Sequence, residues 1–298
     1  MNVIKSRYYW YIFSLILTVA SIVYIALGGL KLSIDFTGGS IIELEFAGNR
    51  PASSEVVSAI SPSIVETATI VPVGDNMMSI RTEALDEDKH QQLLAKVNEV
   101  VDEQTKVDEL RFDSIGPVIG NELKTKSLWS IFFVLVFIIS YIAFVFRKVS
   151  YPIPSWKYGM AAIVALAHDV VIVTGFFAFL GYHFNIQIDV LFVTAMLTLL
   201  GFSVHDTIVT FDRIRENLPK MHGTDFATVV NVSLEQTIVR SVNTSMTTFL
   251  AVFAVYLFGG ETTKHFTLTL LAGLIFGTYS SLFIASPLLY SWMSTKKN

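Results

Sequence analysis

The chain has 298 residues, of which 52% are apolar and only 15% charged, and its mean hydropathy is +0.57. A soluble domain usually carries about 25% charged residues, so the composition points to a membrane protein and excludes an ordinary water-soluble globule. The formal net charge of −4 carries no nucleic-acid signal, and the absence of cysteine excludes a disulfide scaffold.

About 20 uncharged residues can cross a hydrocarbon core roughly 30 Å thick. Tyr8–Leu30 is the first such run. It is longer than the apolar core of a signal peptide and lacks a small-x-small exit, so it predicts an uncleaved first span. The segment Lys31–Lys126 is acidic, with 17 Asp and Glu against 9 Lys and Arg, and reads as an inserted α+β domain. IIELEF alternates apolar and acidic residues, as a half-buried strand does. SSEVVSAI opens with Ser and carries an early Glu, a helix start. ATIVPVG and MMSIRT read as strands joined by a Gly-Asp-Asn hairpin turn. LDEDKHQQLLAKVNEVV sets Leu93, Leu94, Val97, Val100 and Val101 at helical spacing, and VDELRFDSIG reads as a last strand. The order βαββαβ predicts the split-βαβ arrangement of ferredoxin-like domains.

Further apolar runs are Ser127–Phe146, Gly159–Leu180, Asp189–Phe211, Ser241–Gly260 and Phe266–Thr295, with GYHFNIQI as a short turn. The expected fold is an α-helical polytopic membrane protein of six spans with the domain inserted after the first. Residues 1–30 hold the N-terminus and first span, 31–126 the domain, and 127–298 the other spans, over about 127–146, 159–180, 189–211, 241–260 and 267–291. Basic residues in short loops set orientation. With the N-terminus inside, Lys5, Arg7, Arg147, Lys148, Lys157, Arg213, Arg215, Lys220, Arg240, Lys296 and Lys297 fall inside, and Lys264 is the short-loop basic residue outside. Both termini are then cytoplasmic and the inserted domain is exported.

Ionisable residues at membrane depth are costly and mark function. The third predicted span carries His168 and Asp169, and the fourth carries His205 and Asp206. Ser203, Asp206, Thr210 and Arg213 share one helical face, as do Arg240, Asn243, Thr244, Thr247 and Thr248 at the start of the fifth span. Two such stripes facing each other would enclose a thin wet path. Within it, a carboxylate's protonation responds to wetting and to a nearby guanidinium. Asp206 and Arg240 are therefore the candidate proton-coupling pair. The plainer readings are that Asp206 is a fixed partner of Arg240 or Arg213, and that Arg240 snorkels to the surface. His168, Asp169, His205, Ser203, Thr210, Asn243, Thr244 and Thr247 are candidates for relay or packing. Asp212, Arg213 and Arg215 read as the membrane boundary, and Asp189 as the outer interface. Gly273, Gly277, Ser281 and Ala285, at intervals of four, form a stripe for close helix packing. The histidines lack metal-ligand spacing, and no nucleotide-binding motif is present. The expectation is a transport protein rather than an enzyme, with no cofactor or metal.

Several of these stretches resemble a known family. IDFTGGSIIEL resembles the motif that follows the first span in SecD and SecF. AHDVVIVTGFFAF, GFSVHDTIVTFDRIREN, RSVNTSMTT and GGETTKHFTLTLLAGLIFGTYSSLFIASPLL resemble, in order, the later spans of the SecF members. The likeness runs over nearly the whole chain, and the length suits a SecF chain separate from SecD. It implies an accessory subunit of the bacterial Sec translocase, of the resistance-nodulation-division (RND) superfamily, in the bacterial inner membrane. With a SecD-like subunit it would draw on the proton-motive force to help preproteins leave the SecYEG translocon late in export, with YajC and YidC as further neighbours. The family's intramembrane aspartate and arginine match Asp206 and Arg240. His205 stands where the family commonly has Asn, and Ser33 where Gly often precedes the IDFTGG core. Two other functions fit the same pattern: a proton-coupled small-molecule exporter half, and a non-energised translocon scaffold.

Overall fold

The structure, a computed structural model, describes residues 2–61, 63–101, 105–147 and 154–294. Lys148, Lys296 and Lys297, counted above among the inner charges, lie outside the described residues. Among the described residues six helices are long and apolar enough to cross a membrane. The chain divides into two compact units, residues 32–128 and residues 1–31 with 129–298.

The first membrane helix is α1 (Arg7–Gly28). The 32–128 unit then runs through α2 (Ile34–Thr37), β1 (Gly39–Phe46), α3 (Ser53–Ile60), β2 (Ala68–Val73), β3 (Met77–Thr82), α4 (Glu87–Val100) and β4 (Val107–Ile115). Its sheet has the order β2-β3-β1-β4 with every neighbouring pair antiparallel. That order follows when each helix carries the chain over one strand and back to the sheet. Alternation in β1 sends Ile42, Leu44 and Phe46 inward, where they meet Met78 and Ile80 of β3, Val56 and Ile60 of α3, and Leu93 and Val97 of α4. Glu43 and Glu45 take the other face. Gly74, at φ +59°, makes the hairpin turn that the Gly-Asp-Asn signal predicts.

Helix starts are set by short polar contacts. The Asp86 carboxylate accepts the Lys89 N–H at 2.9 Å and caps α4. For α3 the cap position is Ala52 rather than a serine, and the Glu55 carboxylate takes the Ala52 N–H at 3.3 Å. Glu83 accepts the N–H groups of Glu66 at 3.0 Å and Thr67 at 3.4 Å, and the Glu66 bond above all holds its carboxyl below the usual range. His90 completes the inner face of α4 by stacking flat on Phe112, ring centroids 3.7 Å apart.

The two chain crossings of this unit touch each other. Gly38 has φ +74°, and a Cβ there would stand 2.8 Å from Pro117 Cα; a Cβ at Gly120 would stand 2.8 Å from the Gly38 nitrogen. Only glycines allow backbone to lie on backbone here. The arriving and departing segments are thus pressed together at Gly38 and Gly120.

The remaining helices are α5 (Pro117–Phe146), α6 (Ser155–Phe184), α7 (Val190–Lys220), α8 (Phe226–Phe258) and α9 (Glu261–Ser280). A π-helical turn over Ser281–Ala285 leads from α9 into α10 (Ser286–Ser294). Pro287 has no N–H to offer the carbonyl four residues earlier, which favours the wider turn. Within this unit α1 packs on α6, and α9 packs on α6, α7 and α8. Gly175 of α6 lies too close to Ser21 of α1 for any side chain. Phe146 of α5 stacks on Tyr158 at 5.2 Å between ring centroids, and Phe211 meets Tyr158 edge-on at 5.4 Å.

Helices outrun the apolar runs that predicted them. The predicted fifth span opens at Ser241 just after Arg240, whereas α8 begins at Phe226 and Arg240 lies well inside it. The extra turns hold through polar packing between α7 and α8. Asn217 donates to Ser233 at 2.9 Å and to Gln236 at 2.8 Å, and Arg213 donates to Gln236 at 2.6 Å. Asp189, expected at an interface, caps α7 by accepting the Phe192 N–H at 2.8 Å.

Candidate functional site

The site is built on α7. Asp206 is 7% exposed at the middle of this helix. Its carboxylate accepts from Ser245 of α8 at 3.3 Å, and Ser245 in turn accepts from Thr278 of α9 at 2.6 Å. Asp206 forms part of the wall of a cavity of about 380 Å³ between α7, α8 and α9, lined also by His205, Thr244, Ser245, Gly277 and Thr278. The cavity is open enough to hold water beside the carboxylate. His205, which also lines it, is exposed.

Among the described residues the two predicted stripes meet only at this cavity, where Thr244 lines the wall with Ser203 and Asp206. Arg240, Asn243, Thr244 and Thr247 are exposed on α8. No ion pair joins Arg240 to Asp206 among the described residues, although Arg240 lies within electrostatic reach of it. Near Asp206 the α8 residues turned toward α7 are Ser241, which is buried, and Ser245. They sit one position on from Arg240 and Thr244, a rotation of about 100°. The hydroxyls of Thr247 and Thr248 fold back onto the Thr244 carbonyl at 2.8 and 3.2 Å. Arg213, the other possible partner of Asp206, bonds Gln236 and Glu216 instead. Arg215 pairs with Asp212. Thr210 is buried on the Asp206 face, and its hydroxyl meets no hydrogen-bond partner among the described residues.

A second carboxylate lies deeper. Asp169 of α6 is wholly buried. One oxygen accepts from Ser203 of α7 at 2.5 Å and from Ser280 of α9 at 2.7 Å, and the other meets His168 Nδ1 at 3.0 Å. His168 Nε2 lies 2.8 Å from Ser14 of α1, whose hydroxyl meets Tyr279 at 3.3 Å. Tyr279 donates to the Trp10 carbonyl at 3.1 Å. Ser203, predicted on the Asp206 face, therefore spends its hydroxyl on Asp169.

The small-residue stripe of α9 packs on α7 of the same chain. A Cβ at Gly273 would overlap Leu199, and one at Gly277 would come within 3.2 Å of Ser203 Cβ. Ser281 donates to the Ser203 carbonyl at 3.1 Å and shares a hydrogen bond with Thr207 at 2.8 Å, and Ala285 is fully buried. Ser14, Ser245, Thr278, Tyr279 and Ser280 were not singled out from the sequence. The signal for the last three was present: a polar run, Thr-Tyr-Ser-Ser, inside an apolar span. No group of three or more His, Asp or Glu is placed to hold a metal among the described residues.

A family profile described as protein export membrane protein SecD/SecF, C-terminal, matches residues 95–295. The chain belongs to the SecD/SecF family. A second profile, the SecD/SecF GG motif, matches residues 23–48, the stretch that holds Gly38 and Gly39. Curated relatives named protein translocase subunit SecF include one from Thermobaculum terrenum, 43% identical over 98% of this chain and 94% of its own length. Another from Anaerolinea thermophila is 39% identical over 99% of this chain and 94% of its own. The solved structure of SecDF from Thermus thermophilus, a translocon-associated membrane protein, superposes with a TM-score of 0.83 at 29% identity over 99% of this chain. A structure of SecDF in a super-membrane-facing form gives a TM-score of 0.71. This chain spans 39% of the length of either SecDF chain. It is a multi-pass SecF-type subunit of the protein translocase.

Proposed function

We propose that this chain is one half of a proton-driven export motor. It pairs with a SecD-like six-span half, draws on the proton-motive force, and assists preproteins late in their passage through SecYEG, with YajC and YidC as further neighbours. The observation that carries the reading is Asp206: a carboxylate buried at mid-helix, yet forming the wall of a cavity roomy enough for water. Ionisable groups so placed in membrane bundles serve proton or ion pathways. The family's arginine corresponds to Arg240, whose stripe with Asn243, Thr244 and Thr247 is exposed at the same level of α8. Polar groups facing lipid are costly, so this stripe is the face that the SecD-like half covers, and the Asp206 cavity becomes a path when it does. The energy source is the gradient; the chain is not an ATPase and holds no cofactor.

Late-stage export in vesicles containing SecYEG and the SecD-like partner tests the function. A proton gradient should accelerate release of a trapped preprotein only when this chain is included. Equal gradient dependence without the chain would leave a scaffold.

The charge asymmetry supports an inner-membrane orientation with both termini cytoplasmic and residues 31–126 in the periplasm. Because the native chain has no cysteine, a single Ser54→Cys variant reports the side directly. Ser54 is exposed on α3. It should react with an impermeant thiol reagent in cells whose outer layer has been permeabilised, and reaction only after lysis would reverse the orientation.

A further inference from the structure

We infer that Asp169 is a positioning residue for Asp206, acting through Ser203 and the Thr278–Ser281 run of α9. The inference rests on the proton-coupling reading of Asp206.

Four consecutive residues of α9 and its π turn each reach a different helix. Thr278 donates to Ser245 of α8, the residue that bonds Asp206. Tyr279 bonds α1 through the Trp10 carbonyl. Ser280 donates to Asp169 of α6. Ser281 donates to the Ser203 carbonyl of α7 and meets Thr207. Consecutive side chains on an α-helix point about 100° apart, so a four-residue polar run addresses every neighbour of a central helix at one level. A helix at that position cannot shift or turn without breaking bonds to all four.

Asp169 anchors this hub. Its Oδ2 takes both the Ser203 and the Ser280 hydroxyl, so one atom fixes α7 to α9 one helical turn from Asp206. Ser203 and Gly277 also line the cavity beside Asp206. The spacing between α7 and α9 there sets how much water reaches Asp206, and Asp169 holds that spacing. An asparagine would put an NH2 group where one of the two carboxyl oxygens stands, so at least one of the contacts made by the pair, to the two serine hydroxyls or to His168, must change. The ionisable groups around the pair are His168 beside Asp169, Tyr279 from α9, and His205 and Arg240 toward Asp206. From α1 the group facing this cluster is the Ser14 hydroxyl.

The test uses the complete complex with its SecD-like partner in vesicles, and follows gradient-driven export against pH for wild type, Asp169→Asn, Ser280→Ala and Asp206→Asn. Asp169→Asn should assemble and keep gradient dependence, with a rate about tenfold lower and a pH midpoint displaced by at least about half a unit, because Asp206 now titrates in an altered environment. Ser280→Ala keeps the carboxylate and its other two partners and should displace the midpoint in the same sense by less. A purely structural clamp would change the amount of folded complex and leave the midpoint of the surviving fraction where it was. If Asp169→Asn fails to assemble, Ser280→Ala decides alone. Wild-type midpoints in the variants that assemble, with gradient dependence lost in Asp206→Asn, would overturn the positioning role and leave the proton reading intact. Full gradient dependence in Asp206→Asn would remove the proton reading and this inference with it.

Discussion

Asp206→Asn is expected to remove the gradient-driven part of export, by on the order of 10²-fold, the scale lost when a proton-transferring group is removed, while the protein still accumulates and assembles. Asparagine keeps the shape of the side chain and can still accept the Ser245 hydroxyl. A neutral amide is cheaper to bury than a carboxylate, so folding gives no reason for loss. What disappears is the ability to gain and release a proton beside the cavity. Gradient-independent export should stay near the wild-type level, which separates this outcome from damage to the complex. Arg240→Lys keeps the charge and loses the planar fork of donors. Since no direct bond joins Arg240 to Asp206 among the described residues, a lysine should retain partial activity, whereas Arg240→Ala should retain less. Wild-type gradient dependence in Asp206→Asn would mean that the carboxylate only packs.

The fold was legible in the sequence because its two parts obey different, simple periodicities. β1 alternates Ile42, Glu43, Leu44, Glu45, Phe46, and α4 spaces Leu93 and Val97 one turn apart, so the sheet and its helical cover can be read from residue type alone. The spans follow from apolar length. Hydropathy gave their centres and not their ends, because α7 and α8 continue past the hydrocarbon on hydrogen bonds among Arg213, Asn217, Ser233 and Gln236 that no apolar window records.

The site was legible in part. Asp206 stands out because a carboxylate in an apolar helix needs a reason. Its partner does not, because serine is common in membrane helices and the helical phase of α8 has to be known to within one residue to choose Ser241 and Ser245 over Arg240 and Thr244. Charge drew attention to the stripe that includes Arg240, while burial selected the one beside it. The Asp169 network is harder still. It joins Ser14, His168, Ser203, Tyr279 and Ser280 from four helices that are remote in sequence, and nothing but packing brings them together.

Gly273→Leu should leave little folded protein in detergent, even without any partner. The stripe Gly273, Gly277, Ser281 and Ala285 could have served a neighbouring chain, in which case bulk would weaken assembly and spare the isolated subunit. The structure puts its closest approach inside: a single Cβ at Gly273 would already overlap the Leu199 side chain, and three further carbons would have to displace α9 from α7. Overpacking a tight core costs typically 1–3 kcal/mol and sometimes more. Here the displacement would also break the Ser280 bond to Asp169 and the Ser281 bond to Ser203, which lie on the same helix within two to three turns. Leu199→Ala removes the atoms that the new side chain strikes. The double variant Leu199→Ala with Gly273→Leu should therefore recover folded protein, measured by the monodisperse fraction and the melting temperature in detergent, although Leu199→Ala alone is expected to destabilise by about 2–5 kcal/mol. Recovery in the double variant locates the contact between α7 and α9 of one chain. A Gly273→Leu subunit that melts like wild type alone and fails only to join its SecD-like partner would place the stripe at the interface between chains instead.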